Sequence, residues 1–324
     1  GIDIGGANTK VASTSGKTDS YYLPLWKENS LTDLLRLIKE EFDPTNVGVV
    51  MTAELADAFK TKRDGVHCVA SCVRSVFAQP YFFSIEGKFL QTIDDTRWNM
   101  FAASNWAASA AFLGDKIHDC IFADVGSTTC DVIPIKGGKS LASATDFQRL
   151  CRDELIYMGV LRTNLAALLS TISLKGRRYR LSSELYAITA DVHRFLGNIS
   201  EAQYTCDTPD GGPRDTEACM QRIARMLLCD VDELGKENIF HIARAVERTQ
   251  VSMLASALAK HAIEHGLNLV VGAGLGEFII AQAAAARGLE CCPLSHLFSK
   301  HVAEVFPAYA TAQLLQQALK TEAV

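Results

Sequence analysis

The chain has 324 residues and a mass of 35.3 kDa, 48% of it hydrophobic, which is enough to close one large or two medium cores and excludes a disordered chain. A formal charge of −5 and a pI near 5.9 give no basic field for a nucleic-acid backbone, and the one short basic run, KGRRYR at 175–180, reads as a solvated loop. No apolar stretch reaches the ~20 residues of a bilayer crossing and no secretory pattern opens the chain, so no membrane partner is expected and the expected compartment is the cytoplasm.

The chain opens at a glycine in what reads as mid-strand, and a few residues are expected ahead of it. In GIDIGGANTK, Ile2 and Ile4 alternate with Asp3 as a short strand that Gly5 and Gly6 break. Glycines there let backbone N–H groups approach an anion, Thr9 adds a hydroxyl and Lys10 a charge; the competing reading is an ordinary hairpin turn. VASTS and SYYLPL then read as β-rich, SLTDLLRLIKEEF as an amphipathic helix with Ser30 at its N-cap, and VGVVMT as a buried strand. TAELADAF starts a short helix, and HCVASCVRSVF and PYFFSI are apolar segments with a turn at Gln79-Pro80. NMFAASNWAASAAFL is a small-residue helix, and Trp26, Trp98 and Trp106 are assigned to the core. Strand, helix, strand is the grammar of an α/β domain.

At Cys120 the pattern restarts. CIFADV is a strand, Gly126-Ser127-Thr128-Thr129 a tight loop, CDVIPI a second strand, and Gly137-Gly138 a hairpin turn. In both places an aspartate, Asp3 or Asp124, stands two residues before a glycine, Gly5 or Gly126, so the pattern suggests a structural duplication with no long sequence repeat. From Tyr157 helices dominate: RTNLAALLS, SSELYAITADVHRFLG, TEACMQRIARMLL and ENIFHIARAVERTQVSMLASALAKHAIEHG, with CDTPDGGPRD as the most loop-like stretch. A strand over 267–271 then runs into Gly272, Gly274 and Gly276 and a helix from Glu277, a glycine loop suited to a phosphate or the face of a base. Ten cysteines scattered in apolar contexts fit buried thiols; the pairs Cys68/Cys72 and Cys291-Cys292 lack the second pair a structural zinc would need.

DIGGANTK, DVGSTTCDV and VVGAGLGEF, in this order, resemble the two phosphate loops and the adenosine loop of the actin-like ATPase superfamily. The fold this implies is α/β, with two ribonuclease-H-like (actin/Hsp70-type ATPase) domains around a cleft, over 1–113 plus 308–324 and over 114–307 with a helical insertion. The small-residue helix and the final YATAQLLQQALK helix would cross between them. A closer resemblance spans nearly the whole chain. DIGGANTK, VVMTAELADAF, WNMFAASNW, FADVGSTTCDVIPI, YMGVLRT, ITADVHRFLG and PDGGPRD are similar to hydantoinase/oxoprolinase-type proteins linked to tetrahydromethanopterin-dependent C1 metabolism.

The resemblance implies a transferase of methanofuran biosynthesis, in which the phenol of γ-glutamyltyramine displaces pyrophosphate from an aminomethylfuran diphosphate. Gly5, Gly6, Asn8, Thr9, Lys10, Gly126, Ser127, Thr128 and Thr129 would hold the diphosphate, and Asp3 and Asp124 a Mg²⁺, or else cap the adjacent turns. Lys10, Asp131 and Glu54 are the catalytic candidates. Arg162, Asp191 and Arg214 join the glycines 272, 274 and 276 as substrate or nucleotide contacts, an Arg being able to clamp the γ-glutamyl carboxylates. The alternative is an ATP-using kinase or amide hydrolase of the same superfamily, with ATP as cofactor; a non-catalytic ATP-binding scaffold is a third class. His193 and His241 read as structural, and a homo-oligomer is left open.

Overall fold

The computed structural model describes residues 1–25 and 30–322; Trp26 lies outside the described residues. Six strands, β1 (Ile2–Ile4), β2 (Asn8–Ala12), β3 (Thr18–Tyr22), β4 (Gly48–Met51), β5 (Tyr81–Phe83) and β6 (Phe89–Leu90), form a sheet in the order β3-β2-β1-β4-β5-β6. β2 runs antiparallel to β1 and β3, while β1, β4 and β5 are parallel. Alternation sets the two faces. Ile2, Ile4, Val11, Val49 and Met51 share a core with Leu35 and Ile38 of the helix Leu31–Phe42 and with Val66, Val69 and Val73 of the helix Lys62–Val76. On the other face the C-terminal helix Phe306–Glu322 lies close: a side chain at Gly48 would reach Thr311 and Leu315.

The later strands are β7 (Cys120–Val125), β8 (Cys130–Lys136), β9 (Lys139–Ser140), β10 (Leu155–Ile156), β11 (Thr171–Leu174), β12 (Arg177–Arg180), β13 (Leu269–Ala273) and β14 (Glu290–Pro293). Their main sheet runs β10-β8-β7-β13-β14, with β9 extending β8 and β11-β12 a separate hairpin. In both sheets the order is third strand, second, first, fourth, fifth, with the second antiparallel to the third and the fourth parallel to the fifth. This is the ribonuclease-H-like fold twice over, as the restart at Cys120 implies.

Contacts divide the chain into two compact units: Gly1–Phe122, Ile133–Cys151 and Leu294–Val324 in one, Ala123–Val132 and Arg152–Pro293 in the other. Ile133–Cys151 and the stretch from Leu294 fall in the first unit rather than with 114–307. The hairpin turn is the reason for the former. Gly138 donates its N–H to the His118 carbonyl at 2.8 Å, and a side chain at Gly114, the last residue of the helix Asn105–Gly114, would stand 2.3 Å from the Gly138 carbonyl oxygen. That helix and the C-terminal one both belong to the first unit, where Phe112 meets Tyr309 edge-on at 5.8 Å. The second unit's helices, among them Thr216–Arg225 and Lys236–His265, close a core of Leu165, Ile172, Met220, Ile223, Ile239 and Val246.

Four local expectations need correction. TAELADAF is a run of turns, and the helix starts later, where the Thr61 hydroxyl accepts from Asp64 N–H; Gly65 then lets it approach so closely that a Cβ there would sit 2.6 Å from Glu54 Cα. KGRRYR is a turn and a strand: Lys175 and Gly176, at φ +48° and +76°, join β11 to β12 in a two-residue hairpin. NMFAASNWAASAAFL begins in the short 3-10 turn Trp98–Met100 and becomes α-helical only at Asn105, after Ala103 at φ +48°. In SSELYAITADVHRFLG only Thr189–Phe195 is helical. Trp106 is buried and Trp98 half-buried.

Candidate functional site

In the first unit the turn after β1 is closed by Gly5 N–H donating to the Asn8 carbonyl at 2.9 Å. A side chain at Gly5 would stand 2.8 Å from that oxygen, whereas one at Gly6 would meet nothing within 4 Å. Asn8 is half-buried. In the β1–β2 register Asp3 faces Lys10, so carboxylate and ammonium stem project from the same face. Thr9 is a correction: it pairs with Ile4 and Tyr21 on the core face and is 1% exposed, so strand alternation turns its hydroxyl away from the anion side. β4 ends beside this turn, with Thr52 N–H donating to the Ile4 carbonyl at 2.9 Å, and the chain then delivers Glu54. Glu54 is 2% exposed, and its Oε2 has no hydrogen-bond partner. Burial pushes its carboxyl up to about 7; the charge of Asp146 adds to this, and Lys62 and backbone N–H groups oppose it. Asp3, the glycine turn, Lys10 and the Glu54 segment thus gather around the carboxyl ends of two adjacent parallel strands, where open α/β sheets place ligands.

The second unit repeats the turn. Gly126 N–H donates to the Thr129 carbonyl at 2.9 Å, with Ser127, Thr128, Thr129 and Asp124 all partly accessible. The segment YMGVLRT braces it. Leu161 and Arg162 N–H both donate to the Ser127 carbonyl at 3.0 Å, and a side chain at Gly159 would collide with Ser127 and Thr128 backbone atoms at 2.4 Å. The Gly159 carbonyl in turn accepts from Thr189 Oγ1 at 2.9 Å and Gln250 Nε2 at 3.0 Å. Gln250 also bonds His193 at 2.9 Å; burial holds that imidazole down at about 4, so His193 is structural. Gly159 and Gln250 were not singled out from the sequence; a lone glycine in an apolar run and a glutamine inside a long helix carry no pattern there.

The third glycine loop lies against the second turn. Gly276 N–H donates to the Val125 carbonyl at 2.9 Å, and a side chain at Gly274, at φ +84°, would lie 2.3 Å from Asp124 Oδ1. Gly272 is inside β13 and buried against Ile280, so it faces no ligand. Asp131 is half-buried on β8 opposite Leu155.

Asp191 is likewise a correction. It is wholly buried; Oδ1 accepts from Arg222 Nε at 2.7 Å and from the Tyr204 hydroxyl at 2.9 Å, and Oδ2 from Ile188 N–H at 3.0 Å. Its oxygens are spent inside the fold. Arg162 is exposed and Arg214 half-buried, its Nη2 donating to the Cys206 carbonyl at 3.2 Å. Burial pushes the Cys206 thiol up to about 11, and the charges of Arg162 and Arg214 both oppose that rise, which brings the two arginines to one neighbourhood. Arg214 also lines a cavity of 360 Å³ with Glu201, Asp207, Thr208, Gly211, Gly212 and Pro213.

A family model described as Hydantoinase/oxoprolinase matches residues 46–318. The chain is 39% identical over 327 residues, 98% of either chain, to the (4-{4-[2-(gamma-L-glutamylamino)ethyl]phenoxymethyl}furan-2-yl)methanamine synthase of Methanocaldococcus jannaschii. It is 33% identical to the protein of the same name from Methanococcus vannielii, over 66% of this chain and 98% of that one. Among solved structures, nucleotide-free acetone carboxylase, described as acting by ATP-dependent acetone carboxylation, aligns with a TM-score of 0.54 at 13% identity. That alignment covers 94% of this chain and 51% of the carboxylase chain, so this chain spans about half its length and the likeness is one of fold.

Proposed function

The chain belongs to the hydantoinase/oxoprolinase family, and from that premise we propose that it is a transferase of methanofuran biosynthesis that joins γ-glutamyltyramine to an aminomethylfuran carrying a methyl diphosphate. The observation that carries this reading is the end-to-end likeness to a synthase whose named product contains a phenoxymethyl-furan ether. The bond that forms is between the phenolic oxygen and the furan methylene carbon. The bond that breaks joins that carbon to diphosphate, which leaves with the electron pair as pyrophosphate.

The residues supply what this step needs. A diphosphate leaving group requires charge neutralisation, for which the glycine turns offer backbone donors and Lys10 a cation. The phenolic proton goes to a carboxylate, and Glu54, with an open oxygen and a proton affinity near neutrality, is suited to take it. In each unit an aspartate precedes the turn, Asp3 or Asp124, a hard oxygen donor of the kind Mg²⁺ takes; the ion would add positive charge at the diphosphate. Arg162 and Arg214, both beside Cys206, would bind the α-carboxylate of the γ-glutamyl group.

The test is to incubate the purified protein with both substrates and Mg²⁺, following pyrophosphate by a coupled assay and the ether by mass spectrometry. One pyrophosphate per ether without added nucleotide is expected. Ether formation that requires ATP and releases ADP would replace this reading with the ATP-using one, and no ether under either condition would refute both.

A further inference from the structure

The second unit carries a group of side chains that the proposed reaction does not use. The helix Lys236–His265 ends in His261-Ala-Ile-Glu264-His265 before Gly266, whose φ of +63° stops it. Residues four apart in a helix share a face, and the rings of His261 and His265 stack 8° from parallel with centroids 5.8 Å apart. One ligand atom from each of His261, Glu264 and His265 lies within 4.8 Å of the other two, and His265 Nε2 is 3.8 Å from Glu264 Oε1.

His261 is fully buried, yet neither ring nitrogen closes a hydrogen bond of normal geometry, although the Asp153 carbonyl lies close enough to act on the ring, and the buried Nε2 of His265 has no partner either. A buried imidazole that closes no hydrogen bond loses its hydration without replacement, which is costly unless something else binds it. The surroundings favour a cation. The site is the negative end of a 30-residue helix; burial holds the His261 imidazole below its ordinary value, in the neutral form that a metal ligand needs, with His265 and Lys260 adding to this and the Glu154 carboxylate and Asp153 backbone carbonyl opposing it. The neighbouring cations are engaged: Lys260 Nζ donates to Asp153 Oδ2 at 2.7 Å and to the Arg152 carbonyl at 2.9 Å, and Arg152 Nε donates to Glu154 Oε1 at 2.8 Å. Arg152 also reaches Glu264 Oε1 at 3.2 Å and would have to yield that oxygen.

We propose that His261, Glu264 and His265 form a binding site for a divalent transition-metal ion of the zinc class, separate from the phosphate turns. Two imidazoles and a carboxylate are a donor set that Zn²⁺ accepts, leaving its fourth position to water. The bond lengths of about 2.0–2.2 Å ask the three groups to close by about 1 Å, which ring and carboxylate rotation supply. The His261 nitrogen not on the metal would then donate to the Asp153 carbonyl, the outer hydrogen bond that metal-bound histidines commonly make.

The test uses the full chain stripped with chelator and titrated with Co²⁺ by visible absorption and with Zn²⁺ by calorimetry. One saturable equivalent is expected, with tetrahedral cobalt bands but no sulfur-to-cobalt charge-transfer band, and with an upward shift in melting temperature on adding Zn²⁺. His265→Ala should abolish the saturable event, and Glu264→Gln, at a surface position that leaves folding intact by circular dichroism, should weaken it about tenfold or more. Binding unchanged in both variants, a thiolate band marking the ten cysteines as ligands, or no saturable binding to the parent chain would each overturn the assignment.

Discussion

Gly6→Ala separates a glycine kept for a ligand from one kept for packing. At Gly6 the backbone is outside the left-handed region and an added methyl would meet no atom within 4 Å, so the substitution should leave stability within about 0.5 kcal/mol or raise it slightly. If the turn cradles a diphosphate, that methyl stands where a phosphate oxygen must approach. Losing one charge-assisted N–H bond costs about 1.5–3 kcal/mol, or roughly 10- to 150-fold in affinity. Calorimetric titration of the variant with Mg²⁺-pyrophosphate, beside a thermal melt, reads both quantities. Parent-like affinity would refute the cradle; a large fall in melting temperature would refute the steric reading. Gly274→Ala is the opposite control, placing a methyl 2.3 Å from Asp124 Oδ1 at a φ of +84°, and should lower stability by about 1–3 kcal/mol before any ligand is added.

Glu54 makes stability depend on pH. Its folded-state pKa of about 7 lies above the ordinary 4.5, so the folded protein holds the proton more tightly; this contribution is full below about 4.5 and is lost as pH rises through 7. The loss is on the order of 3 kcal/mol, and Glu54→Gln should flatten the melting profile between pH 5 and 8 while lowering kcat at least about a hundredfold; an unchanged slope would count against the buried carboxyl. Asp191→Asn leaves the wholly buried Arg222 with Asp210 as its remaining carboxylate partner and should cost about 2–4 kcal/mol, below the full penalty for an unpaired buried charge, with turnover per folded molecule intact; a turnover defect in a stable variant would restore Asp191 to the substrate. Lys10→Met should weaken pyrophosphate binding while Thr9→Val should not, because strand alternation puts only Lys10 on the face of Asp3; equal effects would contradict that register.

What could be read from the sequence were features that repeat along the chain. Asp3-Ile-Gly and Asp124-Val-Gly mark the first strand of each sheet, and the strand, turn, strand order around them predicts the paired folds. What could not be read depends on distant partners. The helix at SSELYAITADVHRFLG is short because Asp191 caps Ile188 from within the helix and is held there by Arg222, 31 residues on. Thr9 reads as a hydroxyl at a phosphate loop until the pairing with Ile4 and Tyr21 assigns its face.

The glycines show why a motif can point to a site and still misassign its parts. Gly5 closes its turn and would clash at 2.8 Å, while Gly126, in the equivalent position, would place a methyl at an ordinary 3.7 Å from the Thr129 carbonyl oxygen. In the second unit the tight approach has moved to residues far along the chain, Gly159 at 2.4 Å from Ser127 and Gly274 at 2.3 Å from Asp124. Those two hold the turn from behind and must be glycine whether or not an anion ever binds. A glycine-rich loop therefore signals close backbone approach in general. Gly6 is the glycine of the first turn that neither steric contact nor positive φ requires, so it is where recognition of an anion, rather than packing, best accounts for the residue.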